Sequence, residues 1–225
     1  MMIVILLLLK NGKTKKQLMN IIKQNTLQQL FLKSKALLQN LQEQLNIKRC
    51  NNEYIRNNFL QEKSVRQFKN QKVDEKDIKT ILKAGMSGPT CVNSKDWSFI
   101  VIDDQEVLKQ MYEANGVPAK PLLECAFAIL ICGDYTKAFQ YAKDYFAVDG
   151  SIAGQNMILA AWSLGIGSVW LGTWPQMDRV FAQSKLFDLP NDQIPHSIIA
   201  FGYPLDEIKE KEEYYDESVV HYNKW

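Results

Sequence analysis

The chain has 225 residues, 46% hydrophobic and 23% charged, which is length enough for one sizeable core plus an extension. Its formal charge of +2 hides an asymmetry: residues 1–83 carry 17 Lys/Arg against 6 Asp/Glu, and the remainder 10 against 19. Two histidines with no carboxylate cluster at metal spacing, four cysteines with no CxxC pair, and the lack of a Gly-x-Ser-x-Gly elbow or Walker loop point away from metal, serine-hydrolase and P-loop chemistry. The thiols read as reduced and intracellular, and neither nucleic acid nor a firm membrane association is expected.

In chain order, Met1 to Leu9 is an apolar run. It is too short for a helix across a bilayer core of about 30 Å, and no basic region precedes it as in a secretory signal. Lys10 to Gln42 holds seven lysines and no acid, with leucines and isoleucines interspersed. Such a stretch suits an organellar targeting segment, an anionic membrane surface, a solvated or partner-packed helix, or a start codon set too far upstream. Residues 1–48 are therefore read as a basic N-terminal extension and 49–225 as the functional domain.

A short helix is expected from near Tyr54, closing at the basic cluster Lys63-Ser64-Val65-Arg66. Ser64 and Arg66 lie two apart, so outside a helix both side chains can face one ligand. A guanidinium beside a hydroxyl suits a phosphate; taken alone, the tripeptide is equally an ordinary helix end. Behind Asp74 as N-cap, Ile78, Ile81 and Leu82 repeat at helical spacing. Pro89 to Trp97 is a turn-rich loop in which Thr90 and Asn93 offer polar contacts to a planar, amide-rich ring. Trp97 to Ile102 and Ala126 to Cys132 read as buried strands, and the region between, with Asn115-Gly116, Pro118 and Pro121, reads as irregular.

Tyr145 to Leu164 is apolar on several faces, as in a helix buried in a core or against another chain. Gly165-Ile166-Gly167 is not a dinucleotide fingerprint, because it lacks the third glycine and follows a helix; Gly165 reads as its C-cap. Ser168 to Leu171 then forms a strand ending at Gly172, where a ligand can approach the backbone closely. Asp178 to Ser184 reads as a helix and Ser197 to Phe201 as the last strand. A mostly acidic tail follows, and it contains Lys209 and Lys211.

Glu62 to Phe68 (EKSVRQF), Gly88 to Trp97 (GPTCVNSKDW), Ser168 to Gly172 (SVWLG), Phe201 to Pro204 (FGYP) and Val220 to Trp225 (VHYNKW) together resemble, in order, motifs of the nitroreductase family of FMN-dependent oxidoreductases. The resemblance runs from about Cys50 to Trp225. It implies an α+β fold of three layers, α/β/α, with a mixed, mainly antiparallel sheet flanked by helices, in an intertwined homodimer. It implies FMN as cofactor and NADH or NADPH as reductant, with hydride passing through flavin N5 to a small organic oxidant of nitroaromatic or quinone type in ping-pong order and no catalytic side chain.

By the same resemblance, Lys63, Ser64 and Arg66 hold the ribityl chain and phosphate, and Pro89, Thr90 and Asn93 contact the ring, from the other subunit. Trp170, Leu171 and Gly172 lie under the ring, the last two offering it backbone contacts, and Lys211 returns a cation to the phosphate. Three departures stand against the pattern. Glu62 replaces the first arginine of the family motif, Tyr214 stands where short members carry an arginine, and Lys95-Asp96 replaces Gln-Pro before Trp97. They keep open a non-enzymatic flavin-binding homodimer, or a relative acting on halogenated phenols or on flavin itself.

Overall fold

The computed structural model describes residues 56–225, together with the isolated positions Lys16 and Glu53. The chain divides into two units, Met1–Ile55 and Arg56–Trp225. The apolar start, the lysine-rich stretch, Cys50 and the helix start near Tyr54 lie outside the described residues.

Among the described residues four strands form one sheet in the order β1-β2-β4-β3: β1 is Trp97–Ile102, β2 Phe127–Asp134, β3 Gly167–Gly172 and β4 Gln193–Gly202. All three pairings are antiparallel. The parallel element is a single bridge between Ser64 and Ser168, so the sheet is antiparallel in its ladders and mixed only at this edge. The central strands β2 and β4 are buried almost throughout, which follows from apolar runs long enough to face helices on both sides.

The helices are α1 (Glu75–Met86), α2 (Gln105–Asn115), α3 (Tyr145–Ser163) and α4 (Met177–Leu186). On one face of the sheet, α1 and α3 bring Ile81, Met157, Ile158 and Ala161 against Phe127, Ile129, Ile131, Ile199 and Phe201. On the other, Leu108 and Met111 of α2, with Ala119, Leu122 and Leu186, cover Ala128, Leu130, Val169, Leu171, Ile198 and Ala200. The alternation of odd and even strand positions between two cores makes the three-layer α/β/α sandwich.

Two expectations change. The region after β1 is not irregular throughout, because Asp104 caps α2 by accepting from the Glu106 and Val107 amides at 2.9 and 3.0 Å. Leu108 and Met111 then anchor the helix, and Gly116 ends it with φ +83°. At α1 the carboxylate of Asp74 makes no cap bond; its carbonyl oxygen takes the Asp77 and Ile78 amides instead. Residues 56–60 form one π-helical turn with no buried side chain, and the chain beyond runs extended past β3. Gly165 behaves as expected: with φ +74° it closes a Schellman motif in which Ile166 N–H donates to Ala161 O at 2.9 Å.

Phe127 and Phe201 stack at 4.8 Å between the sheet's two central strands and are almost fully buried. Phe201→Ala is expected to cost about 3–5 kcal/mol, read as a lower urea midpoint at fixed protein concentration.

Candidate functional site

β3 is an edge strand, and the direction of its peptide groups decides what its free side offers. In a strand, the N–H and C=O of one residue point the same way and alternate along the chain. Ser168 O accepts from Val65 N–H at 2.8 Å, away from β4, so the groups of Ser168, Trp170 and Gly172 point outward and those of Val169 and Leu171 toward β4. The outward oxygen of Gly172 agrees, accepting from Asn115 Nδ2 at 3.3 Å and Arg179 Nη1 at 3.0 Å. Trp170 thus presents an amide donor and a carbonyl acceptor side by side at the sheet edge. A β-carbon on Gly172 would meet nothing within 4 Å.

This edge forms one wall of a cavity of about 630 Å³, within the size range of small-molecule sites. Arg66 and Gln67 close one side, and Val117, Lys120 and Glu124, beyond α2, close another. Three cations against one acid give it a positive charge. Among the described residues Arg66 has no hydrogen-bond or ion-pair partner, so its guanidinium is available to an anion.

The second concavity, about 360 Å³, is lined by Lys63, Ser64 and Arg66 against residues 204–209. Arg66 lines both spaces. The extended backbone at Ser64 brings both side chains to the same groove, as the two-residue spacing requires. What holds this segment is Val65, whose methyl groups press on Gly167 so closely that a β-carbon there would lie 2.7 Å from one of them. An outward peptide edge, a guanidinium with no partner among the described residues and an adjoining basic groove suit one elongated ligand with a planar amide-bearing end and an anionic end.

The other expected residues are placed as follows. Trp170 turns its ring to the opposite face, edge-on to His196 at 5.7 Å, so its backbone alone reaches the cavity side of the sheet edge. Leu171 lines the same cavity, with its side chain packed in the core and its peptide groups facing β4, and the outward peptide groups on either side of it belong to Trp170 and Gly172. Lys63 Nζ donates to Lys209 O, and Lys211 Nζ donates to Glu62 O at 3.1 Å. The tail is further tied by Gln61, which exchanges bonds with the Lys211 backbone at 2.6 and 3.0 Å, and by Arg56 with Glu210 and Glu213. Burial pushes the Glu62 carboxyl up and the Lys211 charge pulls it back, so Lys211 offsets the intruding acid beside the groove. The Tyr214 hydroxyl donates to Asp216 at 3.1 Å.

Pro89, Thr90 and Asn93 lie before β1, at the far edge of the sheet from β3. With two strands between, the edges stand about 14 Å apart, so one chain does not bring this loop to the cavity. Asn115, Lys120 and Arg179 were not anticipated. Asn115 had a signal, since it follows Leu108 and Met111 at helical spacing and so places an amide at a core position, where Thr173 Oγ1 donates to it at 3.1 Å. Lys120 and Arg179 are brought in by tertiary packing and had none.

An α/β/α sandwich with a cationic ligand cavity along an antiparallel edge strand is the class that fold and site define. The family model described as "Nitroreductase family" matches residues 60–130 and 117–203. An Archaeoglobus fulgidus protein named "Putative NADH dehydrogenase/NAD(P)H nitroreductase" is 37% identical over 165 residues, covering 72% of this chain and 94% of its own. A crystal structure of the same name from Bacteroides thetaiotaomicron is 37% identical with TM-score 0.69, over 75% of this chain and 96% of that one. The structure of an FMN-dependent nitroreductase from Clostridium difficile is 27% identical with TM-score 0.68, over 75% and 99%. The chain belongs to the nitroreductase family.

Gly167→Ala is expected to force Val65 off the β3 edge. It should lower stability by about 1–3 kcal/mol and speed amide exchange at Val65, as read by hydrogen exchange with mass spectrometry.

Proposed function

We propose that the chain is an FMN-dependent oxidoreductase that takes reducing equivalents from NADH or NADPH and delivers them to a small nitroaromatic or quinone-type oxidant. The observation that carries this reading is the outward amide and carbonyl of Trp170 beside the unpartnered guanidinium of Arg66. They match the two ends of a flavin mononucleotide, an amide-edged ring and a phosphate. The names of relatives support it, the FMN-dependent nitroreductase of Clostridium difficile above all.

FMN held there by the groove and the β3 edge would supply two-electron hydride chemistry between the reduced nicotinamide and the oxidant, in ping-pong order. The protein's part is to bind and orient. Arg66, with Ser64 and Lys63, holds the phosphate in the groove, and Lys211 keeps Glu62 from repelling it. The outward groups of Trp170 and Gly172 grip the polar edge of the ring, while Asn115 and Arg179 fix the Gly172 carbonyl so that this edge stays in register. Pro89, Thr90 and Asn93 reach the ring from a second copy of the chain, since their own cavity lies across the sheet. A homodimer is therefore part of the proposal, with two sites at its interface. The domain that does this begins near residue 49, and residues 1–48 are an appended segment.

The purified protein should show the visible absorption of an oxidised flavin, and anaerobic NADH or NADPH should bleach it. Arg66→Ala should weaken FMN binding by about 10- to 100-fold, the loss of one charge-assisted contact, with thermal stability of the apoprotein unchanged. A protein that cannot be loaded with FMN would overturn this reading. A loaded protein that no reduced nicotinamide bleaches would leave only a flavin-binding homodimer.

A further inference from the structure

The segment before β1 is built in a way its ring-facing role does not require. Val92, Asn93 and Lys95 all have positive φ, 47°, 59° and 51°, which is costly without glycine and most of all for β-branched Val92. Strained backbone persists only where its surroundings over-determine it, so something must hold this segment. Its far end is Asp96, whose side chain is wholly buried and whose carboxyl oxygens make no hydrogen bond of good geometry among the described residues, although the Ser94 hydroxyl and the Asp149 carboxyl lie beside them. Beside it lies a second buried carboxyl, Asp149 of α3, which accepts the Cys91 amide at 2.8 Å from the segment's near end. Burial first, and then the Asp149 carboxyl, push Asp96 up to about 6.

No cation answers this pair. On the segment itself, Cys91 is a thiol that burial and the two carboxyls hold protonated, and Lys95 points to solvent. At the end of β2, Asp134 receives Lys137 at 2.7 Å and, despite burial, is held at about 2 by Lys137 and Thr136. From β4, His196 packs on Gly150, next to Asp149, and burial lowers it to about 4, so it is neutral. Two buried carboxyls side by side cannot both ionise without repulsion.

We propose that Asp96 and Asp149 are positioning residues that clasp the 89–95 segment through one shared proton. With the proton bound, one carboxyl donates to the other and both ends of the segment are pinned. When the proton leaves to solvent, two buried anions face each other and the segment loosens. The clasp rests on the reading of this segment as a face of the flavin site in the partner copy, and it makes that face responsive to mild acidity.

The folded chain holds the Asp96 proton to higher pH than the unfolded chain does, so this group's contribution is most favourable at low pH and diminishes as pH rises through about 6. Asp96→Asn puts an amide donor where the protonated acid stood and leaves the clasp closed at every pH. Its Tm advantage over the wild type should be about 5 °C larger near pH 8 than near pH 5. A protonated-carboxyl infrared band should grow in the wild type as pH falls through that window and be absent in Asp96→Asn; Asp149→Asn should move the band's titration to lower pH, because burial of Asp96 remains and the facing carboxyl does not.

FMN affinity should weaken several-fold more steeply with pH in the wild type than in Asp96→Asn; the ligand's phosphate titrates alike in both, so the difference reads the clasp. A Tm difference independent of pH, or a band unmoved by either substitution, would overturn the proposal. Equal FMN pH profiles with a normal flavin spectrum would overturn the positioning role and leave the oxidoreductase reading intact. Failure of the wild type to bind FMN would instead sink that reading, with the melting and infrared results still deciding whether the proton is shared.

Discussion

A sheet must end somewhere, and the residues at its edge carry peptide groups with no strand to receive them. Here the edge at β3 is turned to use. The Ser64–Phe68 segment covers only its start, through one bridge at Ser168, and Asn115 and Arg179 satisfy only its last carbonyl. Between these two attachments the amide and carbonyl of Trp170 have no partner among the described residues and line a cationic cavity. The steric fit of Val65 on Gly167 is what brings Arg66 to the same place. On the proposed function, cofactor recognition depends on backbone left unpaired at this edge rather than on a constellation of reactive side chains.

That dependence explains what was legible in the residues and what was not. Continuous apolar runs at β2 and β4, the all-round apolar helix α3 and the glycine that closes it could be read directly, because each is dictated by local pattern. The Lys63 to Arg66 cluster was legible from spacing and charge. The choice between Trp170 and Leu171 as the outward residue was not. It depends on which neighbour pairs with which side of β3, and alternation reverses with a shift of one residue. Helix α2 was hidden by the prolines and glycine that follow it, although Asp104 caps it from the front. Lys120 and Arg179 meet the cavity only once distant segments pack.

Departures from the family pattern acquire physical meaning in the same way. Glu62 would oppose a phosphate, yet the tail folds back to set Lys211 against it, with Gln61 and Arg56 securing that return. Asp96, where the family motif has proline, exchanges a rigid ring for a buried acid beside Asp149. The first change is compensated by a neighbouring charge. The second is compensated, on the clasp proposed above, by a proton.

Hydrogen exchange resolved to single amides reads the outward edge of β3 directly. With saturating FMN, the amides of Trp170 and Gly172 should become protected while those of Val169 and Leu171, already bonded to β4, should change little. Protection that misses Trp170 and Gly172, or falls equally on inward and outward residues, would contradict cofactor recognition by this edge.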